Sequence, residues 1–203
     1  MTPSPADSTS SAPAAPPDPA GPRPAAVLVP IYDGPGGPTL LFIRRTAGRT
    51  HSGQVAFPGG RPEPQDAGPV ATALREAQEE LGIPPERVRV LGRLPTVDTI
   101  TSNFAIVPVV GRLRARPRLT MQADEVAAVL DVPLESLSAP GLPVEEDWAL
   151  PLPGERLPPD ARIRPGQTRR IRYFPWGEDR IWGATARMVE HLLAALRAGT
   201  LRL

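Results

Sequence analysis

Three glutamates are grouped in the run Arg75–Gly82, which reads Arg-Glu-Ala-Gln-Glu-Glu-Leu-Gly. Glu76, Glu79 and Glu80 stand three and four residues apart, and such positions share one face of a helix. Their side chains would therefore project within an arc of roughly 100°. Three adjacent carboxylates repel one another unless a cation lies among them, and hard divalent cations such as Mg²⁺ prefer oxygen ligands. The spacing predicts a divalent-metal site on this helix.

The segment before these glutamates helps to distinguish a metal site from an ordinary solvated face. Glutamate-rich helix faces usually contact only water, so the spacing alone leaves both interpretations open. Here a strand-like run, Gln54–Phe57, leads into the glycine turn Phe57–Gly60. A strand, a glycine turn and an acidic helix can bring backbone carbonyls beside carboxylates, and together these can hold a cation that carries phosphate oxygens. The combination favours the metal interpretation.

The acidic run also has the pattern of an amphipathic helix over residues 69–81. Pro69 suits a first helical turn, and Gly82 followed by Pro84 is a stop signal. The glutamates centre roughly 120° around the helix from its apolar residues, so one face would contact a core and the other a metal. The apolar stripe consists of Val70, Ala73, Leu74, Ala77 and Leu81.

These residues resemble the sequence box of the Nudix hydrolases, which runs Gly, five residues, Glu, seven residues, Arg-Glu-apolar-X-Glu-Glu-X-Gly-apolar. In this chain Gly60 is followed by five residues and Asp66, and then by eight residues before the run Arg75–Ile83. Asp66 thus replaces the first glutamate, and the spacer is one residue longer. Both departures resemble the coenzyme A pyrophosphatase branch of that family.

Three further runs resemble motifs of the same branch. His51–Gly60 reads HSGQVAFPGG, Tyr173–Trp176 is an aromatic run, and Ile181–Ala186 reads IWGATA. The resemblance covers roughly residues 25–196. In that branch we expect glycine or another small residue near the position of Asn103.

The resemblance implies an α/β fold, a Nudix-type α/β/α sandwich with a mixed β-sheet. It implies metal-dependent hydrolysis of the diphosphate bond of a nucleoside-diphosphate-linked compound, with Mg²⁺ or Mn²⁺ as cofactor. The substrate implied by the branch is coenzyme A or a derivative, cut to 3′,5′-ADP and 4′-phosphopantetheine. Two alternatives stay open: a Nudix hydrolase of another substrate such as ADP-ribose or NADH, and a non-catalytic Nudix-fold binding module. The complete set of carboxylates argues against the binding module.

The resemblance also implies roles for individual residues. Arg75 would orient the carboxylates, and Glu76 would bind metal or position the attacking water. Glu125 would be a base or an additional ligand, or else an exposed residue at a strand edge. Asp66 would bind metal or cap the start of the helix. The expected catalytic residues are Arg75, Glu76, Glu79, Glu80 and Glu125, the expected metal ligands are Gly59 (through its carbonyl), Glu76, Glu79 and Glu80, and the expected substrate-binding residues are Arg44, Arg45, Arg49, His51 and Gln54.

Composition limits the other functions. The chain has 203 residues, a formal net charge of +1 and no cysteine. The length suits one domain with a sizeable core, and the charge gives no reason to expect nucleic-acid or membrane binding. The lack of cysteine excludes disulfides, thiolate metal sites and a cysteine nucleophile, and it fits a cytoplasmic location. The expected partner is a small nucleoside-diphosphate substrate, and a homodimer is left open.

The sequence divides into a tail and a domain. Residues 1–23 are rich in proline, alanine and serine and have little to bury, so we expect a disordered tail followed by a Nudix domain over residues 24–203. Pro108 suggests an edge or bulge position for its strand. No helix or strand is expected in the proline-rich stretch 139–165. Strands are expected at residues 25–32, 39–44, 54–57, 88–94, 104–110, 125–132 and 171–174, and helices at residues 69–81 and 184–196.

Overall fold

The computed structural model describes residues 21–46, 53–99, 102–152 and 166–203 of the chain. The described residues form eleven strands, three α-helices and one 3₁₀ helix at Pro85–Arg87. The strands are β1 (Arg23–Gly34), β2 (Gly37–Arg45), β3 (Val55–Ala56), β4 (Gly59–Gly60), β5 (Arg89–Arg93), β6 (Val97–Asp98), β7 (Phe104–Leu113), β8 (Val126–Pro133), β9 (Val144–Ala149), β10 (Thr168–Trp176) and β11 (Asp179–Trp182), and the helices are α1 (Pro69–Leu81), α2 (Leu134–Leu137) and α3 (Gly183–Arg197).

The larger of two sheets is mixed and is built around two long neighbouring strands. β1 and β7 run parallel, from Arg23 beside Phe104 to Tyr32 beside Leu113. The sheet has eight strands in the order β3-β2-β1-β7-β5, and β4, β6 and β8 pair with β1, β7 and β2 respectively. Its other pairings are antiparallel. The second sheet has three antiparallel strands in the order β11-β10-β9.

Alternate residues of the central strands point to opposite faces of the larger sheet, and a helix covers each face. Leu28 belongs to a core cluster with Ala73 and Leu81 of α1. Its neighbour Val29 belongs to the other cluster, with Leu192 of α3. Helices on opposite faces of a mixed sheet make an α/β/α sandwich, which confirms the predicted fold class.

Helix α1 occupies the residues predicted from its apolar stripe and end signals. It begins at Pro69 and ends at Leu81, and the following Gly82 has a left-handed φ of 69°. The Gly82 N–H donates to the Gln78 carbonyl at 2.8 Å and closes the last turn. Glycine takes this conformation without steric cost, so the end of the helix is fixed by local sequence.

Two parts of the strand pattern differ from the expectations. Pro108 lies in β7, which has β1 on one side and β5 and β6 on the other, so of the two positions predicted for it, edge or bulge, the edge is wrong. The Pro108 carbonyl accepts from the Leu94 N–H at 2.9 Å, at the interruption between β5 and β6. A strand residue directs its nitrogen and its carbonyl to the same side, so the missing N–H of proline falls at this interruption. The stretch 139–165 contains β9, whose polar sequence VEEDWA lacks the apolar alternation that identifies a strand.

The start of the domain also differs slightly from the expectation. Arg23, which the composition assigns to the tail, begins β1, and its N–H donates to the Asn103 carbonyl at 2.8 Å. Residues 1–20 of the expected tail lie outside the described residues. No helix within the part of the chain that the structure describes is long and apolar enough to cross a membrane.

Leu192→Ala should destabilise the domain more than Leu196→Ala. Leu192 is 0% exposed in the core under α3, whereas Leu196 is only partly buried at the border of that core. We expect Leu192→Ala to lower the free energy of unfolding by about 2–5 kcal/mol, and Leu196→Ala to lower it by less than about half of that. Urea unfolding of both variants measures the difference. Equal losses would contradict the packing of α3 described above.

Candidate active site

A cleft of about 1900 Å³ lies between the larger sheet, the smaller sheet and the start of α3. The larger sheet contributes wall residues from β1, β2, β3, β4, β6 and β7, and the smaller sheet contributes residues from β10 and β11. The cleft brings together residues that are far apart in the sequence. Five of the predicted site residues line it: Arg45, Gln54, Gly59, Glu76 and Glu125.

Gly59 and Gly60 let the acidic helix approach the sheet closely. They form β4, which pairs with Val27 and Ala26 of β1. A Cβ on Gly59, whose φ is 157°, would collide with the backbone of both β1 residues. A Cβ on Gly60 would instead occupy the place of the Glu76 carboxylate. Gly59 therefore allows β4 to pack against β1, and Gly60 leaves space for the predicted catalytic side chain of Glu76.

Arg75 joins the acidic helix and the glycine loop in one hydrogen-bonded network. Its Nε and Nη2 donate to the Asp66 carboxylate at 3.2 Å, and Nη2 also donates to the Arg61 carbonyl at 2.9 Å. Nη1 donates to Glu79 at 2.8 Å, and Nη2 donates to Glu76 at 3.0 Å. The hydrogen bonds to these carboxylates raise the pKa of Arg75 above its ordinary value, and the bond to Asp66 contributes most to the rise. The contacts agree with the predicted role of a cation that orients carboxylates.

The structure shows what the Asp66 carboxylate contacts, and it excludes one of the two roles left open for Asp66, the cap of helix α1. Besides Arg75, its carboxylate accepts from the Thr72 hydroxyl and from the Glu63 N–H, each at 2.9 Å. Gly68 precedes helix α1, and no side chain caps the helix start. Hydrogen bonding from Arg75 is the main reason that the pKa of Asp66 lies below its usual range. The Asp66 carboxylate thus fixes Arg75 and the loop before the helix.

The three glutamates of α1 lie in three different environments. Glu80 is 1% exposed, its carboxylate accepts from the Gly59 N–H at 3.0 Å, and Arg45 Nη1 lies 3.9 Å from its Oε1. Burial raises the pKa of Glu80 to about 7. Glu76 is partly buried, and burial is also the main cause of its raised pKa. The side chain of Glu79, by contrast, is 50% exposed. Helical spacing places the three glutamates on one face of α1, but packing against the sheet gives them different degrees of solvent exposure.

The turn before β8 brings Glu125 to the acidic end of the cleft. The N–H groups of Thr120 and Gln122 donate to the carbonyls of Leu81 and Glu80, at 2.9 and 3.0 Å, at the C-terminus of α1. The Glu125 N–H donates to the Gln122 carbonyl at 2.9 Å. Beside desolvation, which is the main cause, the charge of Glu125 contributes to the raised pKa of Glu80. Glu125 is therefore held near the helix by a turn docked on the helix end, and β8 begins one residue later.

The donor set at this end of the cleft fits a hard divalent cation in its chemistry. Glu76 and Glu80 have pKa values raised by desolvation and by neighbouring carboxylates, and a bound cation would offset both effects. As the side chains stand, no three acidic or histidine side chains among the described residues are grouped closely enough to hold a metal ion. Glu79 instead contacts Arg75, and Glu80 contacts the Gly59 N–H. The oxygen donors are present, but in this arrangement they are directed to protein partners.

The predicted substrate-binding residues are not all on the cleft wall. Arg45 and Gln54 line it. Arg44 points elsewhere, because successive strand residues face opposite sides of a sheet. Its guanidinium donates to both carboxylate oxygens of Asp179, at 2.9 and 2.6 Å, and so joins β2 to β11. The guanidinium donors of Arg44 therefore serve this ion pair, and Arg44 is not among the residues that line the cleft. The remaining two, Arg49 and His51, lie outside the described residues.

Arg23 at the start of β1 lines the cleft, as do the neighbouring residues 102–104, but the sequence analysis did not predict any of them as site residues. The Arg23 guanidinium lies 4.2 Å from the centre of the Phe104 ring and donates to the Ser102 carbonyl, 79 residues away in the chain. Asn103, between these two, has a left-handed φ of 51°. Glycine takes this conformation freely, and asparagine tolerates it better than most residues do. A backbone requirement thus explains why Asn103 suits a position where glycine was expected.

Comparisons with known proteins place the chain in one family. A family model described as NUDIX domain matches residues 22–151. A protein named Uncharacterized Nudix hydrolase NudL from Pectobacterium atrosepticum is 44% identical over 172 residues, which cover 84% of this chain and 81% of that protein. A protein of the same name from Citrobacter koseri is 40% identical over 179 residues, which cover 87% of this chain and 83% of that protein.

Solved structures share the fold at low sequence identity. A MutT/nudix family protein from Enterococcus faecalis matches with a TM-score of 0.52 and 14% identity, covering 91% of this chain and 66% of that one. A Nudix hydrolase from M. smegmatis, RenU, matches with a TM-score of 0.50 and 23% identity, covering 60% of this chain and 79% of that one. At this identity the likeness concerns the fold alone.

Gly59→Ala should destabilise the fold, whereas Gly60→Ala should mainly lower activity. The added methyl at Gly59 meets backbone atoms of β1, but at Gly60 it meets only the end of the flexible Glu76 side chain. We expect Gly59→Ala to lower the free energy of unfolding by about 2–3 kcal/mol and Gly60→Ala to lower it by less than about 1 kcal/mol. Gly60→Ala should still lower kcat/KM about tenfold or more, because Glu76 is displaced. Urea unfolding and a diphosphate-hydrolysis assay test the pair, and the reverse order of stabilities would contradict the assignment.

Without divalent metal, Glu80→Gln should stabilise the protein above pH 7. Burial raises the folded-state pKa of Glu80 from 4.5 to about 7, so the folded state holds this proton more tightly than the unfolded state does. Ionisation of Glu80 therefore destabilises the fold as pH rises through this window, and glutamine does not ionise. In EDTA at pH 8 we expect the variant to melt higher by on the order of 5 °C, with no difference near pH 4.5.

Glu79→Gln is the matched control for this measurement. Its side chain is half exposed, so no comparable pH-dependent gap should appear. If Glu80→Gln melted at or below the wild-type temperature at pH 8, the folded chain would not carry a destabilising buried charge at this position.

Proposed function

This chain belongs to the Nudix hydrolase family, and we propose that it hydrolyses the diphosphate bond of coenzyme A or a close derivative. The products would be 3′,5′-ADP and 4′-phosphopantetheine. The size and position of the cleft carry the choice of substrate. Its volume of about 1900 Å³ exceeds the roughly 300–1000 Å³ of most small-molecule pockets. A cleft of this size suits an elongated substrate with a long group on each side of its diphosphate.

The route of the cleft supports the same choice. Glu76 and Glu125 line the cleft on one side, and Trp182, Gly183 and Arg169 of β10 line it from the smaller sheet and the start of α3. Two of these wall residues belong to the IWGATA run, which resembles a motif of the coenzyme A branch. A diphosphate beside the carboxylates would leave room for the rest of the molecule along the smaller sheet.

The chain's own residues would divide the reaction between binding and proton transfer. The three glutamates of α1, with the Gly59 carbonyl, would hold Mg²⁺ or Mn²⁺. The cation supplies neutralisation of the diphosphate and a lowered pKa of the attacking water. Arg45 extends from β2 to the same end of the cleft and would bind diphosphate oxygens through charge-assisted hydrogen bonds. Glu125 would accept the water proton as the water oxygen bonds to phosphorus and the bond from phosphorus to the bridging oxygen breaks.

A Nudix hydrolase of ADP-ribose or NADH is the main alternative. These compounds contain the same diphosphate, so the acidic end of the cleft favours none of the three. A non-catalytic binding module is disfavoured by Glu80. Its carboxylate is buried beside Glu76, and buried carboxylates are costly unless a cation compensates for them, which favours a metal-dependent role.

Coenzyme A should be the best substrate in a panel with ADP-ribose and NADH. We expect its kcat/KM to exceed theirs at least about tenfold, or about 1.4 kcal/mol of differential transition-state binding. Chromatography of the adenosine-containing products in Mg²⁺ or Mn²⁺ measures the three rates. Glu80→Gln should lower kcat by about 10²-fold or more while keeping its circular dichroism spectrum.

The possible outcomes separate the two parts of the proposal. Equal or faster turnover of ADP-ribose would reject coenzyme A and keep the diphosphate chemistry. Full turnover in EDTA, or an unchanged rate for Glu80→Gln, would reject the assigned metal chemistry.

A further inference from the structure

Seven arginines line the cleft, and they differ in whether their guanidinium groups already have partners. Five are engaged within the protein. Each of these five has a described carboxylate or carbonyl beside it and would have to exchange that partner for an anionic ligand. The engaged five are Arg23 with the Ser102 carbonyl, Arg45 with Glu80, Arg170 with Asp147, Arg172 with Glu145 and Glu190, and Arg187 with the Asp98 carbonyl.

The other two, Arg61 and Arg169, have no hydrogen-bond or ion-pair partner for their side chains among the described residues. Arg61 directly follows Gly60 at the acidic end of the cleft and is exposed to water. Arg169 lies in β10 on the other wall and is half-buried. A guanidinium that has lost part of its hydration without gaining a partner is unfavourable. Of the seven cleft arginines, Arg169 is therefore the one that is half-buried and still lacks a described hydrogen-bond or ion-pair partner.

The strand register shows what surrounds Arg169. It pairs with Trp148 of β9, and Ile171 and Tyr173 follow it on the same face of β10. Tyr173 pairs in turn with Trp182 of β11. At about 3.3 Å per residue, Arg169 lies roughly 13 Å along the sheet from that last pair. Ile171 and Trp182 also line the cleft, and so do Arg170 and Arg172, which are paired with carboxylates. Arg180 lies over the Trp148 and Tyr173 rings, 5.2 Å from each ring centre. Among the β10 arginines that line the cleft, Arg169 is therefore the one with no hydrogen-bond or ion-pair partner among the described residues.

From this arrangement we infer that Arg169 is a specificity-determining residue that binds a phosphomonoester of the substrate, separate from the diphosphate at the acidic end. The inference rests on the proposed function, under which the group is the 3′-phosphate of coenzyme A. A planar guanidinium matches phosphate oxygens with two parallel hydrogen bonds, which a phosphomonoester can accept. ADP-ribose and NADH have no such group, so Arg169 would select against them.

Paired substrates test this role directly. Coenzyme A and dephospho-coenzyme A differ only in the 3′-phosphate, so the ratio of their kcat/KM values isolates its recognition. For the wild-type protein we expect a ratio of at least about ten. Arg169→Gln should reduce the ratio to near one by lowering kcat/KM for coenzyme A alone, and Arg169→Lys should keep part of it because the charge remains.

Arg89→Gln is the matched control, because Arg89 is an exposed strand arginine of β5 outside the cleft. It should keep the wild-type ratio. All variants should melt within about 2 °C of the wild type, since Arg169 has no partner to lose among the described residues. If Arg169→Gln left the ratio unchanged, or lowered both substrates equally, the inference would be overturned.

A binding measurement separates failure of the inference from failure of the proposed function. Calorimetry compares adenosine 3′,5′-bisphosphate with AMP, and neither requires turnover. We expect the wild-type protein to bind the bisphosphate about tenfold more tightly, and Arg169→Gln to bind the two equally. If coenzyme A is not hydrolysed but this difference is found, the phosphate site stands and the proposed reaction falls. If the wild type binds both nucleotides equally, the phosphate site is rejected whatever the substrate.

Discussion

The burial of one carboxylate, that of Glu80, determines much of the site around it. An ionised carboxylate that water does not reach needs a donor and an opposite charge. The Gly59 N–H supplies the donor at 3.0 Å, and Arg45 supplies the charge at 3.9 Å. The helix reaches the Gly59 N–H only because β4 lies directly against β1, and the Cβ of any other residue at position 59 would collide there. Three features therefore act together to stabilise the buried Glu80 carboxylate: the glycine turn, the short strand β4 and the position of Arg45 at the end of β2.

Two arginines near the glutamates have different tasks, and their contacts explain the difference. Arg75 contacts Asp66, Glu76 and Glu79 and the Arg61 carbonyl, so its donors are used to hold side chains in place. Arg45 has one distant ion pair and extends to the cleft wall. Under the proposed function Arg75 positions the carboxylates and Arg45 meets the substrate. Replacing either would lower activity, but only the loss of Arg75 would also release the loop held through Asp66.

The cleft joins two parts of the chain that relate differently to the family. The family model matches residues 22–151, which include the glycine turn, helix α1, Arg45 and Glu125. Strands β10 and β11 and helix α3 come later in the chain and supply the opposite wall. In the functions proposed above, the matched part performs the diphosphate chemistry and the later part, including Arg169, selects the substrate. With this division, substitutions in β10, β11 and α3 would change the substrate while the residues that hydrolyse the diphosphate stay the same.

The sequence by itself determined the features that depend on neighbours in the chain. The bounds of α1, its left-handed end at Gly82 and the position of α3 in the chain follow from local spacing and local backbone preference. The tertiary structure alone decided which glutamate is buried, because spacing places Glu79 and Glu80 side by side, whereas Glu80 packs against Gly59 of β4 and Glu79 contacts Arg75. It also decided that Arg44 pairs with Asp179 and that Asp66 holds Arg75. The unpaired Arg169 and the strand β9 were likewise visible only in the fold. These outcomes depend on contacts between residues distant in the chain, and a local pattern does not contain the register and packing that bring such residues together.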